Sequence, residues 1–267
     1  MSAVSKFDVA DDVAHPEVSA NSSLRSVIEA SGYRPYGDWC WDGYKPTIVA
    51  LAKAYGLTRL LEIGGGRDPS FSPEEAAEHG FQVTINDISS VELENMKANF
   101  GTACFDVSGD ISSTGIAKGA YDLAYSRMVF EHVKDVEQAW TNLYQLLAPG
   151  GVAIAFYPTL YCPPFVVNKF IPESVSSAIV NLLYKHRTAD EDPKFPAFYD
   201  HCYGAPGLVE PMLRDIGYRD VAVMPFYGHE YFINIPVVRE IDALVSNLAR
   251  RTNFGRLSAY AYAVVRK

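Results

Sequence analysis

No stretch of this sequence approaches the ~20 consecutive apolar residues that a membrane-spanning helix requires. Residues 1–20 are polar and acidic, without the apolar centre of a secretory leader. Cysteine is scarce: the four, at positions 40, 104, 162 and 202, are too scattered for a zinc ribbon, and a disulfide framework is not expected at this size. Positive charge is in deficit, with 23 Lys and Arg against 32 Asp and Glu and a net charge of −9. That balance leaves no global electrostatic footprint for nucleic acid or an anionic membrane, and the group Arg250, Arg251 and Arg256 reads as a solvated surface. Internal repeats and low-complexity tracts are missing too. Apolar residues are plentiful, 48% of 267, which suits a single large domain with a substantial core, expected in the cytoplasm.

From residue 59 the apolar residues fall into a rhythm. Short runs at 59–63, 81–86, 102–105, 121–125 and 151–157 predict strands, and helical patterns at 73–79, 89–99 and 135–147 lie between them. This alternation points to strand–helix units on a parallel sheet. Pro149-Gly150-Gly151 should stop the third of these helices. Further strands are expected at 219–225 and 258–265, and helices at 23–31 and 44–56 flank the aromatic segment Tyr33 to Trp41. In that segment and just after it, Trp41 and Tyr44 are either core residues or ligand contacts.

Two segments interrupt the rhythm. Residues 158–205 are rich in proline and aromatics, a long connection that suggests a lid over a site. Residues 236–250 put Val237, Ile241, Leu244, Val245 and Leu248 on one helical face, expected to be buried against the core, the lid or a second subunit. The expected division is an N-terminal arm and cap helices (1–56), a cofactor-binding core (57–157), a lid (158–205) and the C-terminal part of the sheet with a helical insertion (206–267).

The stretch LTRLLEIGGGRDPSF, Leu57 to Phe71, ends a strand pattern in a glutamate and three glycines. A dinucleotide fingerprint requires a third spaced glycine where Pro69 stands, and no Gly-Lys-Ser/Thr is present. Glu62 beside the turn would repel a pyrophosphate but suits a ligand carrying an ammonium or sulfonium. Asp87 closes the next strand, placed to accept ribose hydroxyls, with Ile88 beside it. Asp106, followed by Val107, could receive an adenine amino group. Each has a plainer reading: Gly64 and Gly66 as a tight turn, Asp87 as a helix cap.

Together these motifs resemble class I S-adenosylmethionine-dependent methyltransferases. The resemblance rests on Glu-x-Gly-x-Gly at Glu62, Gly64 and Gly66, on Asp87 and Asp106, on the fourth-strand segment Tyr121 to Val133 and on the Leu147-x-Pro-Gly-Gly turn. It implies an α/β, Rossmann-like fold: a seven-stranded, mostly parallel sheet in order 3-2-1-4-5-7-6, strand 7 antiparallel, with a helical N-terminal cap and a long lid. It also implies S-adenosyl-L-methionine held by Glu62, Gly64, Gly66, Asp87, Ile88, Asp106, Val107 and Ser126.

For methyl transfer to a hydroxyl, a base or a metal is wanted. His132, His201 and His229 are the candidate bases. Relatives that use a divalent ion carry Glu-x-x-Glu-His where Glu131-His132 stands, so Glu131 and His132 could hold Mg or Mn. Met128 replaces the first glutamate of that pattern. Three readings stay open for this pair: metal ligands, a metal-free base, or a structural brace. The aromatic, proline-rich lid, with Phe195-Pro-Ala-Phe-Tyr199, suits an uncharged acceptor that stacks and offers hydroxyls. A sugar or oligosaccharide such as a methylmannose-polysaccharide precursor is the first expectation. A phenolic or quinone-precursor acceptor, and a regulatory protein that binds the cofactor without catalysis, are the alternatives. A homodimer is among the expected assemblies.

Overall fold

The computed structural model of the protein describes residues 19–162, 196–233 and 235–267. Seven strands form its centre: β1 (Arg59–Ile63), β2 (Gln82–Asp87), β3 (Gly101–Cys104), β4 (Tyr121–Arg127), β5 (Leu147–Pro158), β6 (Asp220–Phe226) and β7 (Tyr260–Arg266). Their order is β3-β2-β1-β4-β5-β7-β6. Neighbours from β3 to β5 are parallel, and β7 is antiparallel to both β5 and β6. This is the topology that the resemblance implies. Leu60, Leu61, Leu123, Val152, Ile154 and Val264 are almost fully buried, so the inner strands are apolar on both faces, as a covered parallel sheet requires.

The helices are α1 (Leu24–Ala30), α2 (Trp39–Asp42), α3 (Tyr44–Tyr55), α4 (Pro73–Glu78), α5 (Ser90–Glu94), α6 (Val136–Leu146), α7 (Pro206–Ile216) and α8 (Pro236–Arg251). Local chemistry sets their ends. Ser72 and Glu75 form a reciprocal capping box at the start of α4, with Pro73 in the first turn. Asp135 caps α6 by accepting from the Gln138 N–H.

Several boundaries differ from the sequence expectation. The helix expected at 89–99 is only Ser90–Glu94; separate turns follow it because the chain must reach Gly101 on β3. α6 passes directly into β5 at Leu147, so the Pro-Gly-Gly turn lies inside the strand pairing rather than before it. There Lys267 Nζ donates to the Tyr144 and Leu147 carbonyls, groups that a helix end leaves unpaired. α7 escapes the periodicity because Pro206, Gly207 and Pro211 obscure it. Of the segment expected to form a lid, residues 163–195 lie outside the described residues, as do residues 1–18 of the expected arm.

The face of α8 expected to be buried is not covered by the core: Val237, Ile241, Leu244 and Leu248 are 72%, 60%, 71% and 62% exposed. The helix meets the body through its polar edge instead.

The N-terminal helices are fastened to the sheet by tyrosine hydroxyls that reach backbone carbonyls. Tyr44 donates to the Ser126 carbonyl at 2.6 Å, Tyr33 to that of Pro225 at 2.6 Å, and Tyr262 of β7 to that of Cys40. Tyr44, Phe156 and Tyr262 also pack ring against ring with centroids 5.3–5.5 Å apart. Tyr44→Phe keeps this packing and removes one buried hydrogen bond. The expected loss is about 1 kcal/mol of unfolding free energy, read from urea denaturation.

Candidate functional site

The glycine turn leaves the C-terminal end of β1 between β2 and β4, at the centre of the parallel half of the sheet. Gly64 has φ +73°, and a Cβ there would come within 2.5 Å of Val129 Cγ2, so both conformation and space require glycine. A Cβ on Gly65 would meet the Glu62 carboxyl carbon at 2.7 Å, and one on Gly66 would meet Asp87 Oδ2 at 2.8 Å. The two acids and the glycines are therefore one packed unit, with backbone wrapped closely over two carboxylates.

Glu62 is only 2% exposed. Its Oε1 accepts from the Ser70 N–H at 2.9 Å and the Ser70 hydroxyl at 2.6 Å, and its Oε2 accepts from the Tyr125 hydroxyl at 3.1 Å. Burial raises the pKa of Glu62, opposed by the bonds from Ser70 and Tyr125. The donors that hold this carboxylate come from the chain itself, so its immediate role is to fold residues 64–70 back over β1.

Asp87 is placed differently. Its Oδ2 accepts from the Gly66 N–H at 3.2 Å and its Oδ1 from the Ser89 N–H at 2.9 Å. A carboxylate has about four acceptor sites, so each oxygen keeps capacity for a further donor. Ile88, next along, is 67% exposed, while Val107 is buried at the end of β3. Asp106 is exposed, with Oδ1 accepting from both the N–H and the hydroxyl of Ser108 at 2.8 Å. The Ser126 carbonyl is occupied by Tyr44, and the Ser126 hydroxyl is buried without a hydrogen-bond partner among the described residues. The structure thus gathers Glu62, Gly64, Gly66, Asp87, Ile88 and Ser126 around the ends of β1, β2 and β4, with Asp106 and Val107 beyond β2.

A second group lies past β4 and β5. The Phe198 and Tyr199 N–H groups donate to the Glu131 carbonyl at 2.7 and 3.1 Å, and the Leu160 N–H donates to the Cys202 carbonyl at 2.9 Å. These bonds pin residues 198–202 across the ends of both strands. His132 Nδ1 is 2.9 Å from the Pro196 carbonyl. His201 Nδ1 is 2.8 Å from Asp200 Oδ1, while Asp200 Oδ2 accepts from the Val136 N–H at the start of α6. His229 is elsewhere: its side chain is 1% exposed, with Nε2 3.3 Å from Asp242 on α8. Burial lowers its pKa, and Asp242 opposes that shift. Glu131 Oε1 is 3.8 Å from His132 Nε2, and among the described residues no three His, Cys, Asp or Glu side chains converge to hold a metal ion.

Sequence reasoning missed Asp200, although its adjacency to His201 was visible, and missed Ser70 and Tyr125, which only the folded turn brings to Glu62. Trp41 is 45% exposed and packs on Phe156 and Tyr260 at centroid distances of 4.9 and 5.8 Å, whereas Tyr44 belongs to the core. Trp41, Asp38, His229, Tyr231 and Tyr260 line a cleft of about 340 Å³ beside the end of β5.

Burial pushes the Glu131 carboxyl from its ordinary 4.5 up to about 8. The unfolded chain releases this proton near pH 4.5 and the folded chain near 8, so between them the folded state binds more protons and stability falls as pH rises. Glu131→Gln should abolish that part of the decline and exceed the wild type in stability at pH 8 by on the order of 2–4 kcal/mol. Urea titrations of both proteins at pH 5 and pH 8 check this.

Known proteins resemble parts of this chain. Residues 61–155 match the profile of the methyltransferase domain family. A polyketide synthase-nonribosomal peptide synthetase of Aspergillus clavatus is 32% identical over 123 residues, 40% of this chain and 3% of that protein. A malonyl-[acyl-carrier protein] O-methyltransferase of Erwinia billingiae is 26% identical over 128 residues, 43% of this chain and 49% of that protein. The chain thus spans half or less of these curated relatives. Among solved structures, the DszA carbon methyltransferase superposes with a TM-score of 0.50 at 12% identity, over 86% of this chain and 54% of that one, which shows a common fold. Residues 61–155 thus carry a methyltransferase domain, and the acid-flanked glycine turn and sheet order are those that the resemblance to class I S-adenosylmethionine-dependent methyltransferases implies.

Proposed function

We propose that the protein methylates a hydroxyl oxygen of a small acceptor, with a sugar or oligosaccharide, such as a methylmannose-polysaccharide precursor, as the favoured class. The observation that carries the reading is the His201–Asp200 pair at the ends of β4 and β5. When bound, S-adenosylmethionine supplies a methyl carbon already activated by its sulfonium. The chain then has to align the acceptor, exclude water and take up a proton.

The glycine cradle and its acids fit the cofactor. The spare acceptor sites on Asp87 suit two ribose hydroxyls, Ile88 and Val107 offer apolar surface to an adenine, and Asp106 can receive its amino group. Glu62 acts through the turn it braces. On the acceptor side, Asp200 fixes His201 through Nδ1, which directs Nε2 to act as the base. Asp200 is itself held by the α6 N-terminus, a second support for the imidazole geometry. His132, tied to the Pro196 carbonyl, serves as the brace between the β4 loop and the following segment. Among the described residues Glu131 and His132 stand as a pair, without a third His, Cys, Asp or Glu converging on them. Trp41, Tyr231 and Tyr260 give the cleft aromatic walls on which a sugar ring or a phenol can stack.

A second reading takes an acyl acceptor, because the Erwinia billingiae relative is a malonyl-[acyl-carrier protein] O-methyltransferase. Labelled S-adenosylmethionine offered with oligosaccharides, phenols, a malonyl thioester or no acceptor separates the readings. Label on a sugar hydroxyl supports the first. Label on the thioester substrate alone replaces it with the second, and cofactor binding with no transfer leaves a binding protein.

Two substitutions probe the two halves of the site. Asp87→Ala should weaken cofactor binding by about 1.5–3 kcal/mol in calorimetry, through loss of charge-assisted bonds to the ribose. His201→Ala should leave that affinity nearly unchanged and lower turnover roughly 100- to 10,000-fold. Turnover insensitive to chelator is expected. Its loss, with restoration by Mg or Mn, would shift the chemistry to Glu131 and His132.

A further inference from the structure

α8 is amphipathic, and it is docked through its polar side. Asp242 reaches His229 at 3.3 Å, the Arg250 guanidinium lies 4.7 Å from the Tyr36 ring centroid, and Ala249 is buried. Val237, Val238, Ile241, Leu244, Val245 and Leu248 point outward, between 37% and 72% exposed. At helical periodicity these six residues fill an arc of about 120°. Hydrophobic burial normally turns such a stripe towards the core, so the polar anchors hold it facing away.

The stripe exposes roughly 600 Å² of apolar surface, at the upper limit of the largest patch on an ordinary monomer. Ile233 and Ile235 before the helix and Phe254 after it are 52%, 36% and 49% exposed. With them the surface approaches roughly 900 Å², comparable with the share of about 800 Å² that each partner contributes to a standard interface. The flanking charges favour self-association. Glu240 and Arg251 border the same edge of the stripe at opposite ends of the helix, so an antiparallel copy brings each towards the other's opposite charge, twice over by symmetry. Among the described residues Glu240 is otherwise engaged only by its neighbour Arg239, at 3.5 Å with both side chains at least half exposed. The rim carries both signs, unlike the lysine- and arginine-rich polar face of a helix that lies on an anionic membrane.

We propose that this face binds a second copy of the chain, α8 packing antiparallel on α8 across a two-fold axis. Sedimentation equilibrium on the full chain tests it. The wild type should dimerise at micromolar concentration. Leu244→Asp should raise the dissociation constant at least 100-fold with an unchanged far-ultraviolet circular dichroism spectrum, since the side chain points away from the body. Glu240→Arg should weaken the dimer, and adding Arg251→Glu on the same chain should restore it, a rescue that a folding defect cannot mimic. A wild type that stays monomeric at 100 μM overturns the proposal. That holds whether its α8 is then protected from hydrogen exchange by its own chain or binds phosphatidylcholine–phosphatidylglycerol vesicles. A dimer indifferent to Leu244→Asp, or one with no charge-swap rescue, overturns it as well.

Discussion

At 2% exposure the Glu62 carboxylate has lost its water, and donors from Ser70 and Tyr125 stand in for the solvent. That substitution constrains everything around it. Ser70 is eight residues further along the chain, so bonding it to Glu62 draws the loop into a closed turn. The turn in turn presents the Gly66 N–H to Asp87 on the neighbouring strand. An unpaired carboxylate here would carry a large desolvation penalty. The acid of the motif thus shapes the cradle before any ligand arrives, and the glycines are needed because two carboxylates press against the backbone.

The group past β4 and β5 is built by a different principle. No glycine turn organises it; backbone bonds from residues 198–202 to the loops after β4 and β5 do. Glu131 shows the cost. Its carbonyl is used twice, while its carboxyl is buried, with Oε2 unpaired among the described residues, and prefers to stay protonated. A neutral, buried acid 3.8 Å from the His132 imidazole adds no negative charge to that loop.

Much of the fold was legible because strand periodicity and strand–helix alternation are local properties. β1 was read residue for residue, and most other strands to within a few positions. What escaped was set by tertiary demands. α5 stops early to let the chain reach β3, α6 runs straight into β5, and α7 hides behind three residues that disfavour helices. The clustering of the glycine turn with Glu62 and Asp87 was legible because these acids stand at fixed offsets from strand ends. Asp200, Ser70 and Tyr125 were not singled out, since their partners are chosen by the folded loops. α8 is the clearest case: periodicity revealed its apolar face, but only the anchors at Asp242 and Arg250 show that the face turns outward.

The position of β7 has a consequence for synthesis of the chain. β7 comes last among the strands, yet it lies inside the sheet between β5 and β6 and supplies every hydrogen bond that β6 makes to the sheet. A nascent chain can pair β1 with β2 and β4 as soon as those segments emerge from the ribosome. β6 must wait with both edges open, and so must the docking of α1, whose Leu24 N–H bonds to Asp220 at the start of β6. The half that carries the glycine cradle can therefore mature during translation, while the half built from β6 and β7 completes only after β7 is free. In that interval the exposed edges of β5 and β6 are the places where a chaperone would be most useful.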